Sequence, residues 1–150
     1  MEMIQSVLPV EAGYLMMPED DELTYAAAFR LDMQKLKTIK LPKGTGVAGH
    51  VFESGVSLMV NDSQAYPNFL PAMGDELGFN PRTILCVPII SQGKVNGVIS
   101  VLNKTEGAFN ETDEKMLQTI ATFVGTALEN AQLYREALSK SDKLPLLEIM

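Results

Sequence analysis

The sequence contains a single cysteine, Cys86, and a single histidine, His50. One cysteine excludes an intrachain disulfide and fits a reducing compartment, so we expect a cytoplasmic protein. No apolar run approaches the roughly 20 residues that span a bilayer, and the N-terminus lacks the basic leader of a secretory signal. One histidine gives no support for a metal site, and no Ser–His–acid or paired-carboxylate set stands out. We therefore expect no metal, no cofactor and no catalytic activity.

Positive charge is also scarce, since 12 basic residues face 19 acidic ones and the net charge is −7. A nucleic-acid-binding domain would show a basic patch, so we expect neither nucleic acid nor a membrane as partner. The length of 150 residues suits one domain that buries its own core.

Short strands and turns fill the first two thirds of the chain. "AGYLMMPEDDELTYAAAFRLD" predicts two strands around an acidic turn at 18–22. "KLKTIKLP" predicts an exposed edge strand closed by Pro42. "VSLMVND" predicts a short strand, and the segment at 64–81 is a loop broken by prolines and glycines. "RTILCVPIISQGKVNGVISVLNK" is the clearest hairpin, with its turn at Gln92–Gly93.

A long helix follows, with Asn110 as its N-cap and acidic residues in its first turn. The order of elements predicts an α+β fold: a central antiparallel sheet with helices packed on one face and a long C-terminal helix. We expect one domain over residues 1–138, with a shortened first helix in "EMIQSVL". Residues 139–150 would then be a linker toward a further module.

Three glycines, Gly44, Gly46 and Gly49, have the spacing of a dinucleotide-binding turn. That interpretation fails because the preceding stretch carries lysines and a proline, and because Gly55 ends the following helix too early for a crossover. We interpret Gly44 as a turn residue and Gly46 as a tight helix start. Gly49 would allow the helix to pack closely on the sheet.

At this point the residues resemble a known family. "GTGVAGHVFESGVSLMVND", the hairpin segment and "FNETDEKMLQTIATFVGTALENAQLY" resemble a GAF domain over roughly residues 10–138. An embedded N-K-x(n)-F-x(3)-D-E signature is similar to that of GAF domains in cyclic-nucleotide phosphodiesterases and related signalling proteins. Its residues are Asn103, Lys104, Phe109, Asp113 and Glu114. We interpret them as an exposed clasp between sheet and helix, with direct ligand contact as the alternative.

The resemblance also implies a ligand site. A purine would stack on Phe29, and backbone groups of Val47 and Ala48 would approach the ligand. Arg30, Leu77, Pro81 and Ser100 stand where such family members carry polar or acidic partners. This set is more apolar than a cyclic nucleotide requires, and the pocket could instead be filled by Phe29, Phe69 and Leu77.

The resemblance implies a regulatory, small-molecule-sensing and dimerisation module of a multi-domain signalling protein. The alternatives are a cyclic-nucleotide-binding domain and a ligand-free structural module. The long helix favours a homodimer through the terminal helices, because apolar residues follow alternating three- and four-residue steps at Leu117, Ile120, Val124, Ala127, Ala131, Tyr134 and Leu138. The first half of the helix must cover the sheet, so we expect the part beyond about Asn130, with Tyr134 and Leu138, to need a partner. The alternative is that the shortened first helix covers these two residues within one chain.

Overall fold

A computed structural model describes residues 4, 7–63 and 81–143 of the chain. Six strands form one antiparallel sheet in the order β3-β2-β1-β6-β5-β4. The elements in chain order are β1 Val10–Glu19, β2 Glu22–Phe29, α1 Met33–Leu36, β3 Lys40–Pro42, α2 Gly46–Ser54, β4 Leu58–Val60, β5 Ile84–Ser91, β6 Lys94–Lys104 and α3 Glu111–Lys143. Residues 64–80 of the predicted loop at 64–81 and the last residues of the predicted linker lie outside the described residues.

Both predicted hairpins are present. β5 and β6 are joined by Gln92 and Gly93, whose φ angles of 54° and 73° are the left-handed values of a tight hairpin turn. β1 and β2 meet at Asp20 and Asp21, and Asp20 also has a positive φ of 56°. The α+β class, the antiparallel sheet and the long C-terminal helix are confirmed.

The predicted edge strand is shorter than its pattern suggested. Asp32 accepts backbone N–H bonds from Gln34 and Lys35 at 3.0 and 3.4 Å, and this cap starts the short helix α1. Only Lys40–Pro42 pairs with β2. The strand does lie at the edge of the sheet, so its position was predicted correctly and its first half was not.

The helices cover both faces of the sheet, where the sequence had suggested one. α2 packs on the first face, here called the α2 face, through Val47, Ala48 and Val51. α3 packs on the opposite face through Leu117, Ile120 and Ala121, together with Ile4 and Leu8 from the N-terminal residues. The strands of the sheet are apolar on both sides because both are covered.

A bulge in β2 decides which side chains reach each face. Leu15 pairs with Ala27 but Met16 pairs with Tyr25, so Ala26 is left over and exposed. One extra residue reverses the alternation of every side chain beyond it. Tyr25 therefore faces α2, whereas Phe29 joins the core under α3.

Gly13 provides the space that Phe29 occupies. A Cβ atom at Gly13 would lie 2.5 Å from Cε1 of Phe29 and 2.9 Å from the carbonyl oxygen of Ser100. Glycine is required here for close approach, since any side chain would displace a ring and a neighbouring strand.

We expect Gly13→Ala to lower the free energy of unfolding by about 1–3 kcal/mol, because it overpacks this contact. Part of that loss should disappear when Phe29 is also changed to Leu. Chemical denaturation of the single and double variants measures both effects. Equal losses in the two backgrounds would show that the Phe29 ring does not lie over Gly13.

Candidate functional site

The signature residues join the end of β6 to the start of α3. Asn103 has a positive φ of 57°, and its side chain reaches three partners. Oδ1 accepts from the backbone N–H groups of Arg82 and Thr83 at 2.5 and 3.2 Å, and Nδ2 donates to Glu11 at 3.1 Å. Asn103 therefore ties the residues that precede β5 to the end of β6.

Lys104 makes the connection to the helix. Its Nζ atom donates to Oδ2 of Asp113 at 2.7 Å and to the carbonyl oxygen of Ala108 at 3.2 Å. The exposed fractions of the Lys104 and Asp113 side chains are only 13% and 11%. The sequence had suggested an exposed pair worth little, and the structure corrects this: the pair is largely withdrawn from water, where breaking one partner is costly.

Asn110 and Asp113 complete the helix start. The Asp113 N–H donates to Oδ1 of Asn110, and the Asn110 N–H donates to Oδ2 of Asp113, both at 3.0 Å. This reciprocal arrangement satisfies free backbone donors at the helix N-terminus. It confirms Asn110 as the N-cap, and it gives Asp113 a second partner besides Lys104.

Phe109 is 3% exposed and belongs to the core under α3. Its backbone is held by Asn61, which follows β4: the Phe109 N–H donates to Oδ1 of Asn61 at 2.9 Å, and Nδ2 of Asn61 donates back at 3.3 Å. Sequence reasoning missed Asn61, because 48 residues separate it from Phe109. The Asn61 side-chain amide thus pairs with the N–H and C=O groups of Phe109 as the backbone of a neighbouring strand would.

The clasp is therefore made of Asn103, Lys104, Phe109 and Asp113, with Asn61 and Asn110 as partners. Glu114, the last signature residue, is half-buried and bonds instead to Gln118 on the next turn, at 3.3 Å. These contacts support the structural interpretation of the signature.

Because the Lys104–Asp113 pair is largely buried, Lys104→Ala should lower the free energy of unfolding by about 3–5 kcal/mol, comparable to the loss expected for Phe109→Ala. Lys40→Ala is the matched control. Lys40 lies 3.9 Å from Glu19 with side chains 50% and 58% exposed, so its loss should stay below about 1 kcal/mol. Urea denaturation compares the three variants, and equal losses for the two lysine changes would contradict a buried clasp.

The α2 face holds the other predicted site residues. Tyr14 pairs with Ala28 on one side and Ser100 on the other, and Ser100 pairs with Cys86. Tyr25 contacts Tyr14 edge to face, with ring centroids 5.1 Å apart. Sequence reasoning missed both tyrosines, although each has the alternation of an inward-facing strand residue.

The predicted ligand residues do not all lie on the same face of the sheet. Val47, Ala48 and Ser100 lie on the α2 face, and Phe29 lies on the other face because of the bulge at Ala26. Arg30 follows with a positive φ of 57° and is exposed. Pro81 is the first described residue after position 63, and its carbonyl oxygen accepts from the Ser63 hydroxyl. Leu77 lies outside the described residues. Ligand contact by these residues stays a prediction.

Solvent reaches little of the α2 face. Tyr14, Val47, Ala48 and Ser100 are fully buried, and the oxygens of the Tyr14, Tyr25 and Ser100 side chains are shielded from water. Burial raises the pKa of the Cys86 thiol to about 12, against a smaller lowering by hydrogen bonding with Ser100. Cys86 is therefore a neutral core residue, and a ligand could touch these side chains only if the face opened.

Two of the three predicted glycine roles agree with the structure. Gly44 and Gly46 have positive φ angles of 84° and 69°, which suits a turn and a tight helix start. Gly49 differs from the expectation, because a Cβ there would meet the backbone of Gly44 at 2.8 Å. Gly49 allows α2 to close onto its own preceding turn, and the spacing of the three glycines needs no phosphate to explain it.

Comparison with known proteins identifies the family. The GAF domain family matches residues 2–129, and the chain belongs to it. It is 37% identical over 108 residues to the dual 3',5'-cyclic-AMP and -GMP phosphodiesterase 11 of Drosophila melanogaster, covering 71% of this chain and 7% of that protein. It is 32% identical over 105 residues to the probable 3',5'-cyclic phosphodiesterase pde-5 of Caenorhabditis elegans, covering 70% and 14%. The chain thus spans a small part of these relatives.

Solved structures agree on the fold. The GAF domain of a phosphoenolpyruvate-protein phosphotransferase from Coxiella burnetii superposes with a TM-score of 0.79 at 24% identity, over 89% of this chain and 80% of that one. Residues 122 to 287 of a methyl-accepting chemotaxis protein give 0.77 at 23% identity, over 89% and 86%. Within the described part of the chain, no helix combines the length and the apolar character needed to cross a bilayer.

Proposed function

We propose that the chain is the regulatory module of a larger signalling protein, one that transmits a conformational bias through α3 and pairs with a second copy along that helix. It performs no catalysis of its own in this proposal, and its setting is the cytoplasm. The observation that carries the proposal is the extent of α3. The helix starts in the buried clasp and continues through the predicted domain boundary at residue 138 to Lys143, about 50 Å at 1.5 Å per residue.

The second half of α3 is less tightly packed on the sheet: Leu128 still contacts the core, and an open groove separates helix residues 128–136 from Met17, Pro18 and Asn96. Its last described polar contact with the strands is at Glu129, which accepts from Ser91 and Gln92 at 3.0 Å each. Beyond it, Tyr134 is 66% exposed and Leu138 is 46% exposed. Large apolar side chains in that setting favour a protein partner over water.

The exposed apolar residues form a line along the helix. Leu117 and Ile120 are buried against the sheet, as the sequence predicted for the first half of the helix. The line that remains exposed has steps of seven and four residues, the spacing of one face of a paired helix: Met116, Phe123, Ala127, Tyr134 and Leu138. A second copy of the same helix is the self-complementary partner that such a line suits.

Tyr134→Glu should weaken the dimer at least about tenfold, because it places a charge within the apolar line, and ~1.4 kcal/mol suffices for a tenfold change. Gln132→Glu adds the same charge to the opposite side of the helix and should leave the dimer unchanged. Sedimentation equilibrium over about 1 to 100 μM chain, a range suited to micromolar dissociation constants, measures the dimer dissociation constant of each variant. A monomeric wild-type chain throughout this range would contradict the proposal.

Cyclic-nucleotide binding is a second candidate. The two relatives are cyclic-nucleotide phosphodiesterases by name, and the buried hydroxyl groups of the α2 face could meet a polar ligand. Thr45 at the N-cap of α2 makes no side-chain capping bond, and the first-turn N–H groups of a helix are donors that suit an anion. Against this candidate, Asp113 is the only charged side chain among the described buried residues, and it belongs to the clasp.

We expect cyclic AMP and cyclic GMP to bind with dissociation constants of about 1 mM or weaker, since opening a closed face reduces the apparent affinity by the populated fraction of the open state. Isothermal titration calorimetry measures this directly. A dissociation constant below about 10 μM would instead favour cyclic-nucleotide binding as the function, provided that Tyr14→Phe raises it. Loss of one hydrogen bond to the ligand corresponds to a rise of about tenfold.

A further inference from the structure

The two helices that matter for this function lie on opposite faces of the sheet, and one short stretch of chain reaches both. We call residues 55–61 the edge segment. It leaves the C-terminus of α2, forms the edge strand β4 and ends beside the clasp. Among the described residues, β4 pairs only with Ile84–Cys86 of β5. Pro88 lies two residues further along β5 and has no N–H to offer another strand, so the chain before Leu58 passes unpaired beside α3.

The edge segment is firmly joined to α2. Gly55 adopts the left-handed conformation with φ 69°, and its N–H donates to the carbonyl oxygen of Val51, which closes the helix. The Val56 N–H then donates to the hydroxyl of Ser54 at 3.2 Å. We expect residues 55–57 to move with α2, because these two hydrogen bonds restrain the backbone at the junction.

The same segment touches α3 at two places. Nε2 of Gln118 in α3 donates to the Ser57 hydroxyl at 3.0 Å. Asn61 holds both backbone groups of Phe109, one residue before the N-cap of α3. Beside the Ser57–Gln118 contact lies an open groove of about 380 Å³ between residues 55–57 and the helix, lined in part by Val56, Pro88, Ile90 and Thr122. The Ser57–Gln118 bond therefore joins the segment to the helix where the two are not in tight contact, whereas Met59 of the same segment packs against the core under α3.

We propose that the edge segment is the route by which α2 biases α3, with Ser57 and Asn61 as the positioning residues. This inference rests on the proposed function, in which the state of the α2 face is transmitted through α3. A route through the sheet itself is the alternative. It would have to cross a layer of strands whose side chains are packed on both faces and whose ladder hydrogen bonds fix their positions.

The test perturbs α2 without any ligand. Val47→Ala loosens the contact of α2 with the sheet, and amide hydrogen exchange followed by mass spectrometry reports on α3 residues 111–125 in the intact chain. We expect exchange there to rise at least about threefold in the wild-type background, because local opening becomes easier. In a Ser57→Ala/Asn61→Ala background the additional rise caused by Val47→Ala should fall below about 1.5-fold. Once the link between α2 and α3 is removed, a change in one helix should no longer affect the other.

The matched control is Thr119→Ala/Gln132→Ala, which removes two side-chain hydrogen bonds from α3 at positions that do not contact the edge segment. In that background the threefold effect of Val47→Ala should persist. If Val47→Ala prevents folding, Ala48→Ser supplies a milder perturbation at the same surface of α2.

Equal rises in the wild-type and Ser57→Ala/Asn61→Ala backgrounds would overturn the inference, and so would the absence of any rise in the wild-type background. The measurement concerns coupling within one chain. A monomer in sedimentation would therefore contradict the proposed dimer and leave the route standing, whereas additive exchange effects would remove the route and leave the dimer standing.

Discussion

The Lys104–Asp113 ion pair is the interaction on which the rest of the structure depends. It joins the end of the central strand β6 to the first turn of α3 with both side chains nearly buried. Asp113 also caps the helix with Asn110, and Asn103, the neighbour of Lys104, holds the residues before β5. A buried pair of this kind gives less net stability than its attraction suggests, because both charges lose their hydration. Its value is in geometry, because the pair ties the first turn of α3 to the end of β6 and so constrains the direction in which the helix runs.

A helix with a fixed start can carry a bias over a distance. α3 packs on the sheet as far as Leu128, and its later turns expose Tyr134 and Leu138. A small change of angle at the clasp becomes a larger displacement at Lys143. The opposite face of the sheet is closed over Tyr14 and Ser100. The module thus combines a packed face, an anchored helix and an edge segment in contact with both, and this combination suits regulation better than catalysis.

Much of this arrangement could be predicted from the sequence. Gln92–Gly93 specified a hairpin, Asn110 specified a helix start, and the signature residues specified a clasp, because each depends on local chemistry at a fixed spacing. The position of Phe29 could not be predicted. It depends on which residue of the run Ala26–Ala28 bulges, and three identical small side chains give no alternation from which to read the register. Asn61 was missed for a different reason, since its partner is the backbone of a distant residue and any residue type offers that. The burial of Lys104 was also missed, because a lysine near a turn is usually exposed.

The central claim is that Lys104 and Asp113 act as a buried unit that seats α3. A double-mutant cycle with Lys104→Met and Asp113→Leu, followed by urea denaturation, isolates their interaction from the packing of each side chain. The account predicts a coupling free energy of about 2 kcal/mol or more, near the upper part of the range for residues in direct contact. A coupling below about 0.5 kcal/mol, the value typical of exposed pairs, would contradict it.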